Sequence, residues 1–172
     1  MDTITKAKLT IAGLSTSIGL QTIKNNLSPE ITEIKFSTIS NKCAELGITT
    51  SQLDVSYYST DWDTYKIIAD TIYSIVKNFK WTADKFDCDD RSAFQTSLCA
   101  LLFGLNTCAG MYCKITNVNT GNSDMHWANC IIDKNGELYL FDADNSGVTQ
   151  KITSKTFTAG VWKYEIQNLR IY

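Results

Sequence analysis

The sequence predicts an α+β domain, with helices first and an antiparallel sheet after them. Two observations carry this. Between Ser59 and Leu105 apolar residues recur at helical spacing in two separate runs. From Met111 onward the chain breaks into short β-rich runs punctuated by Asn, Gly and Asp.

The first helix is marked by Trp62, Tyr65, Ile68, Ile72, Ile75, Val76 and Phe79, behind capping residues at Ser59, Thr60 or Asp61. The second begins near Cys88, with Phe94, Leu98, Leu101, Leu102 and Leu105 on one face, and Gly104 or Asn106 ends it. Strands are expected at Met111–Val118, His126–Ile132, Leu138–Phe141, Val148–Ile152 and Val161–Tyr172. Turns at Asn119–Asp124 and Asp133–Gly136 separate the first three. Residues 1–57 read as an N-terminal extension, with weak alternation at Lys8–Ile11 and Glu33–Ile39 and a short helix over Ser40–Gly47. The folded domain is then 58–172.

Bulk properties narrow the function. At 172 residues, 44% apolar and 11% aromatic, the chain has material for one real core. A net charge of −2 without a basic run gives no nucleic-acid surface. No stretch spans a membrane. The Thr-, Ser- and Gly-diluted Leu9–Leu20 run does not read as a signal peptide, and the sequence leaves the compartment open, cytoplasmic and virion-associated places included. Six cysteines form no CxxC pair, and a lone histidine makes a zinc site improbable. They are expected to be reduced thiols, most of them buried.

The chemistry concentrates at three places. Asp87 suits a helix N-cap, which puts Cys88 at the first helical position, where the helix dipole favours a thiolate. His126, the sole histidine, heads one strand, and Asp142 ends the next. Asp87, Asp89 and Asp90 around the sulfur oppose its ionisation. Either Cys88 is not catalytic or a cation offsets these acids, and Ca²⁺ on Asp oxygens would do so. A three-residue hairpin at Lys134-Asn135-Gly136 pairs Asp133 with Glu137. His126 then faces Asp144, with Asp142 diagonal to it, and either acid can orient the imidazole. A two-residue turn would put Asp142 on the other face. The plainer alternatives are a structural cysteine, a satisfied histidine and an acidic turn at Asp142–Asn145.

The segment Phe86-Asp87-Cys88-Asp89-Asp90, then His126, then Leu140-Phe141-Asp142-Ala143-Asp144-Asn145 resembles a papain-like cysteine-protease family. It is the family of the C-terminal domain of the fairy-ring mushroom agglutinin, with phage and bacterial relatives. The resemblance spans roughly residues 57–150. It implies a papain-like (transglutaminase-like) core and a calcium-dependent peptidase acting on peptide or protein substrates. Cys88 would be nucleophile, His126 general base and Asp142 orienting acid, with Asp89, Asp90, Asp144 and Asn145 as calcium ligands. Two departures stand out. Arg91-Ser92-Ala93-Phe94 follows the Cys-Asp-Asp core, and Asp142-Ala143 stands where Glu-Pro is common. No sugar-binding trefoil repeat is present, so lectin activity is not expected.

Other readings use the same residues. One is acyl transfer or peptidoglycan amide cleavage by the same triad. Another is a phage or virion structural module that self-associates through residues 1–57. The Cys88 backbone N–H supplies one oxyanion donor. No Gln lies between Gln52 and Cys88 to supply the second.

Overall fold

The computed structural model describes residues 29–171. The alternation at Lys8–Ile11 and residues 1–28 of the 1–57 extension lie outside the described residues. In chain order the elements are β1 (Thr32–Lys35), α1 (Phe36–Glu45), β2 (Thr50–Gln52), β3 (Ser56–Ser59), α2 (Trp62–Val76), α3 (Cys88–Phe103), β4 (Cys108–Asn117), β5 (Ser123–Ile132), β6 (Leu138–Asp142), β7 (Val148–Lys151), β8 (Thr156–Ala159) and β9 (Trp162–Ile171).

Seven strands form the main sheet in the order β2-β9-β4-β5-β6-β7, with β8 also on β9; β1 and β3 make a separate two-stranded ribbon. All neighbours in the main sheet are antiparallel except β2, which runs parallel to β9. The fold is β-rich, and the expected papain-like core of helices on a sheet is corrected accordingly. Strands β1, β2, β3 and β8 occupy segments the sequence reading gave to the extension or to loops. Their sequences are TEIK, TSQ, SYYS and TFTA. Such runs are too short and too hydroxyl-rich to show a two-residue hydrophobic period. β2 joins the main sheet through β9, and Ile34, Ile39, Cys43, Ile48 and Tyr57 join its core, so packing continues across residue 57.

The two faces of the sheet bury different partners. One face packs Met111, Cys113, Cys130, Leu140 and Ile166 against Ile39 and Cys43 of α1. The other packs Ile131, Tyr139 and Phe141 against Tyr65, Ile68 and Ile72 of α2 and Leu98 and Leu102 of α3. Trp62 stacks on Tyr139 at 3.7 Å between ring centroids. Each fully buried side chain of this size contributes about 1.5–3 kcal/mol of hydrophobic stabilisation.

Local signals place the helices. The Asp61 carboxylate accepts the Thr64 N–H at 2.9 Å and so caps α2. α3 ends at Gly104, whose φ of 70° is the left-handed conformation a C-terminal turn needs. Asp87 holds the N-cap position of α3, but its carboxylate turns back to accept the Asp84 N–H at 2.9 Å. The β5–β6 hairpin closes with the Asp133 N–H donating to Glu137 O, and its Gly136 has φ 79°. A Cβ at Gly136 would meet Thr38 Cγ2 at 2.9 Å, so α1 lies directly on this turn.

Candidate functional site

Three elements converge on one cleft of about 360 Å³. α3 brings Cys88 at its first residue, β5 brings His126, and β6 ends in Asp142. The β5–β6 ladder runs from Ile132↔Leu138 to Asn129↔Phe141 and stops there. Beyond it β5 continues as a partner of β4, with Cys113 opposite His126. The histidine therefore stands on a strand braced from one side, next to the end of β6.

Of the two acids the sequence offers, Asp142 faces the ring. His126 Nε2 lies 3.0 Å from Asp142 Oδ2. Both groups are nearly sealed from water, at 7% and 2% exposure. Asp142 is held on every side. Its Oδ1 accepts the backbone N–H of Asp144 at 3.0 Å and of Asn145 at 3.3 Å, and its Oδ2 accepts the Tyr164 hydroxyl at 2.8 Å. Burial by itself would raise its pKa. The His126 hydrogen bond and charge, the Tyr164 hydroxyl and the Asn145 N–H reverse that and hold it below the usual carboxylate range.

His126 shows the complementary shift. Burial pulls its pKa down, but the hydrogen bonds and charges of Asp142 and Cys88 outweigh burial and push it up to about 10. With Nε2 committed to Asp142, Nδ1 is the nitrogen left for the Cys88 sulfur. The raised pKa favours the protonated ring, which lines the cleft together with Cys88 at the first residue of α3. Cys88 is half-buried, while Cys43, Cys99, Cys108, Cys113 and Cys130 are buried, and all six are free thiols. Burial raises the Cys43 thiol to about 12 and pushes Cys113 higher still.

Asp144 lies close to His126 and Asp142 but pairs with Arg91 Nη1, while Arg91 Nη2 donates to Phe79 O at 3.1 Å. Asp89 and Asp90 line a separate hollow with Trp127 and Arg170. Asp144 and Asn145 line the cleft of Cys88 and His126. The four residues expected to share calcium are thus not gathered into one donor set. Among the described residues, Asp87, Cys88 and Asp89 form one close group, and His126, Asp142 and Asp144 another. The Asp87–Asp89 hydrogen bond lowers the pKa of Asp87 and raises that of Asp89, so this pair holds a proton between its carboxylates readily. Arg91 supplies a positive charge at Asp144 and not at Asp87, Asp89 and Asp90, the acids around the sulfur.

Five lining residues were not named as candidates in the sequence: Arg91, Ile115, Tyr164, and the tryptophans Trp81 and Trp162 that wall the cleft. Trp81 is 51% exposed, unusual for so large an apolar ring. Their signal was weak because Trp81 precedes α3, Arg91 lies within it and Trp162 and Tyr164 lie on β9, and only the fold brings these segments together.

No family model and no curated protein matches the chain. Among solved structures it is similar to PSL1a in complex with E64, at 12% identity and a TM-score of 0.55, covering 81% of this chain and 51% of that one. It is likewise similar to Polyporus squamosus lectin bound to the human-type influenza-binding epitope Neu5Acα2-6Galβ1-4GlcNAc. There the identity is 13% and the TM-score 0.55, with 81% of this chain and 49% of that one covered. The likeness is one of fold, and the chain spans about half the length of these structures.

These findings correct the assignment drawn from the short motifs. The structures this chain resembles are those of a lectin, which a sequence lacking a trefoil repeat gave no reason to expect. Membership of the papain-like cysteine-protease family, the papain-like fold and the calcium-dependent peptidase built on them give way. So do the acyl-transfer or amidase and virion-module alternatives, with the hydrolase and phage-related descriptions. A five-residue motif without a matching family over its length is too unspecific to carry an activity.

Proposed function

We propose that the chain carries an activated-thiol centre in which Cys88 attacks electrophilic carbon. The His126 ring, 3.0 Å from the buried Asp142 carboxylate and sharing a cleft with Cys88, is the observation that carries this reading. The sulfur adds to the carbon and forms a C–S bond. The bond from that carbon to its leaving atom breaks, and the His126 proton passes to the leaving atom. Asp142 fixes the ring so that Nδ1 faces the sulfur, and it stabilises the imidazolium. The backbone N–H groups that open α3 point toward negative charge developing beside Cys88.

Alkylation tests the centre. Sub-stoichiometric iodoacetamide, with E64 as a bulkier epoxide probe, should label Cys88 at least tenfold faster than any other thiol, because thiolate character and exposure set the rate. His126→Ala should remove most of that advantage. Uniform labelling, or preference for Cys43 or Cys108, would overturn the proposal.

A second reading concerns what enters the cleft. Trp81 and Trp162 offer flat apolar walls beside the polar Arg91, Asp144 and Asn145, a combination suited to a sugar ring. One fold neighbour is a lectin bound to a sialylated trisaccharide. Carbohydrate recognition by this half-length fold is tested by calorimetry with Neu5Acα2-6Galβ1-4GlcNAc and by loss of the heat in Trp162→Ala.

A further inference from the structure

Tyr164 is fully buried, and its ring stacks on Phe157 at 5.2 Å and 7° between planes. A phenylalanine would fill that space, and burying a hydroxyl is costly unless it is hydrogen-bonded. The hydroxyl is bonded twice. It donates to Asp142 Oδ2 at 2.8 Å and accepts from Asn145 Nδ2 at 3.0 Å. Asn145 also donates to Ala159 O at 3.4 Å, which ties the loop after β6 to the end of β8. The hydrogen bonds run in one direction: Asn145 to Tyr164, then Tyr164 and His126 to the same carboxylate oxygen.

The register explains how β9 reaches this far. Ile115 pairs with Tyr164, while Cys113 pairs with both Ile166 and His126. Residues two apart share a face, so Tyr164 and His126 project from the same side of the sheet on strands flanking β4. Asp142 bridges them from the end of β6. With two backbone N–H groups on Oδ1, its four acceptor positions are all taken. Rotation of the carboxylate away from the imidazole would break the Tyr164 bond as well.

We propose that Tyr164, oriented by Asn145, is a positioning residue that locks the Asp142 carboxylate against His126 and so sets the geometry of the thiol centre. This rests on the activated-thiol reading of Cys88. Tyr164 does not touch the reacting sulfur and acts through Asp142.

The test is Tyr164→Phe, which keeps the stacked ring and removes only the hydroxyl. The rate of iodoacetamide labelling at Cys88 is followed against pH by mass spectrometry. Loss of a donor to the ionised carboxylate should move the acid edge of the profile up by about one pH unit. Looser positioning should lower the plateau rate roughly tenfold. Asn145→Ala should give the same change in weaker form. A wild-type edge and plateau in Tyr164→Phe would overturn the proposal.

A second readout does not depend on the thiol. His126 is the sole histidine, so its Nε2–H signal in NMR is unambiguous. That signal should broaden or vanish in Tyr164→Phe, and the Asp142 carboxyl carbon should titrate at higher pH. If both stay unchanged, Tyr164 has no positioning role whatever Cys88 does. If both change while Cys88 labels no faster than the other thiols, the positioning role stands and the thiol-centre reading fails.

Discussion

His126 and Asp142 are joined by a 3.0 Å contact between Nε2 and Oδ2, and each shifts the other's protonation. The histidine's pKa lies above its ordinary 6.5, at about 10, and the aspartate's lies below its ordinary 3.8. The raised histidine contributes stability that is fully present below pH 6.5 and is lost as pH rises through about 10. The lowered carboxylate contributes stability that is present above pH 3.8 and is lost as pH falls through its folded value. Stability should therefore be flat across neutral pH and fall at both ends, the alkaline fall near pH 10. Melting curves between acid and alkaline pH check this; a fall already complete by pH 8 would remove the ion pair.

Asp142→Asn removes the Asp142 contribution to His126 and leaves burial opposed only by Cys88. The amide keeps the size and removes the charge, so burial becomes the dominant influence. The histidine pKa should then fall from about 10 toward its ordinary range. NMR titration of this single ring reads the result directly. A value still near 10 would mean that the raised pKa comes from elsewhere.

Much of the chain order was legible before the fold was known. The two helices and the five later strands stand close to where periodicity and turn residues put them, and the Asp133–Gly136 hairpin forms at its glycine. Of the four short strands, β1 overlaps the weak alternation at Glu33–Ile39, while TSQ, SYYS and TFTA carry no usable period and gain their strand character from the strands they pair with. The site divides in the same way. Cys88, His126 and Asp142 were visible as residues with chemistry at element ends. Tyr164 was not, because a tyrosine in a strand looks like core until its hydroxyl is seen against a carboxylate. The choice between Asp142 and Asp144 needed the end of the β5–β6 ladder and the Arg91 guanidinium, and neither can be read from spacing. The family assignment failed for a related reason: short acidic motifs recur, while the extent of a fold does not show in five residues.

Arg91 holds Asp144 against any incoming cation. The guanidinium already occupies this carboxylate, and an ion could reach it only by displacing Arg91. Arg91→Gln should therefore bind Ca²⁺ roughly tenfold more tightly than the parent chain, if Asp144 is a ligand at all. It should also be less stable by about 2 kcal/mol, since a mostly buried pair is broken. Isothermal calorimetry and thermal melts measure the two effects. Equal calcium affinity in the two proteins would take Asp144 out of any metal site.

Gly147 couples the loop of the site to α2. Its φ is +69°, and a Cβ there would come within 2.6 Å of Tyr73 Cγ on the helix. Backbone strain and a clash with a ring packed against the α2–α3 core act together, so Gly147→Ala should cost about 2–4 kcal/mol. The loop from Asp142 to Val148 would have to move to relieve it. Asn145 and its bond to Tyr164 lie on that loop, so Cys88 labelling should slow even in the fraction that remains folded. A destabilised variant with an unchanged labelling rate would show that the loop and the thiol centre are independent.

Asn129 holds α3 against β5 just inside the site. It is fully buried, and its Nδ2 lies 3.1 Å from Ser92 O, 3.0 Å from Thr96 Oγ1 and 3.3 Å from Ala109 O. Ser92 Oγ returns a bond to Ala128 O at 3.0 Å. These contacts fix the first turns of the helix that carries Cys88 relative to the strand that carries His126. Asn129→Leu is close in volume but strands Ser92 O and Thr96 Oγ1 in a dry interface. Leaving buried polar groups unpaired costs about 1–3 kcal/mol each, so the melting temperature should fall by several degrees. The thiol centre should suffer more than stability alone accounts for, because a shift of 1 Å at the helix start can cost about a hundredfold in a positioned reaction. Ser92→Ala, which removes only the returned bond, should lie between wild type and Asn129→Leu in both melting temperature and Cys88 labelling rate. If Asn129→Leu melts lower yet labels at the wild-type rate, the helix–strand clamp supports the fold without setting the distance from Cys88 to His126.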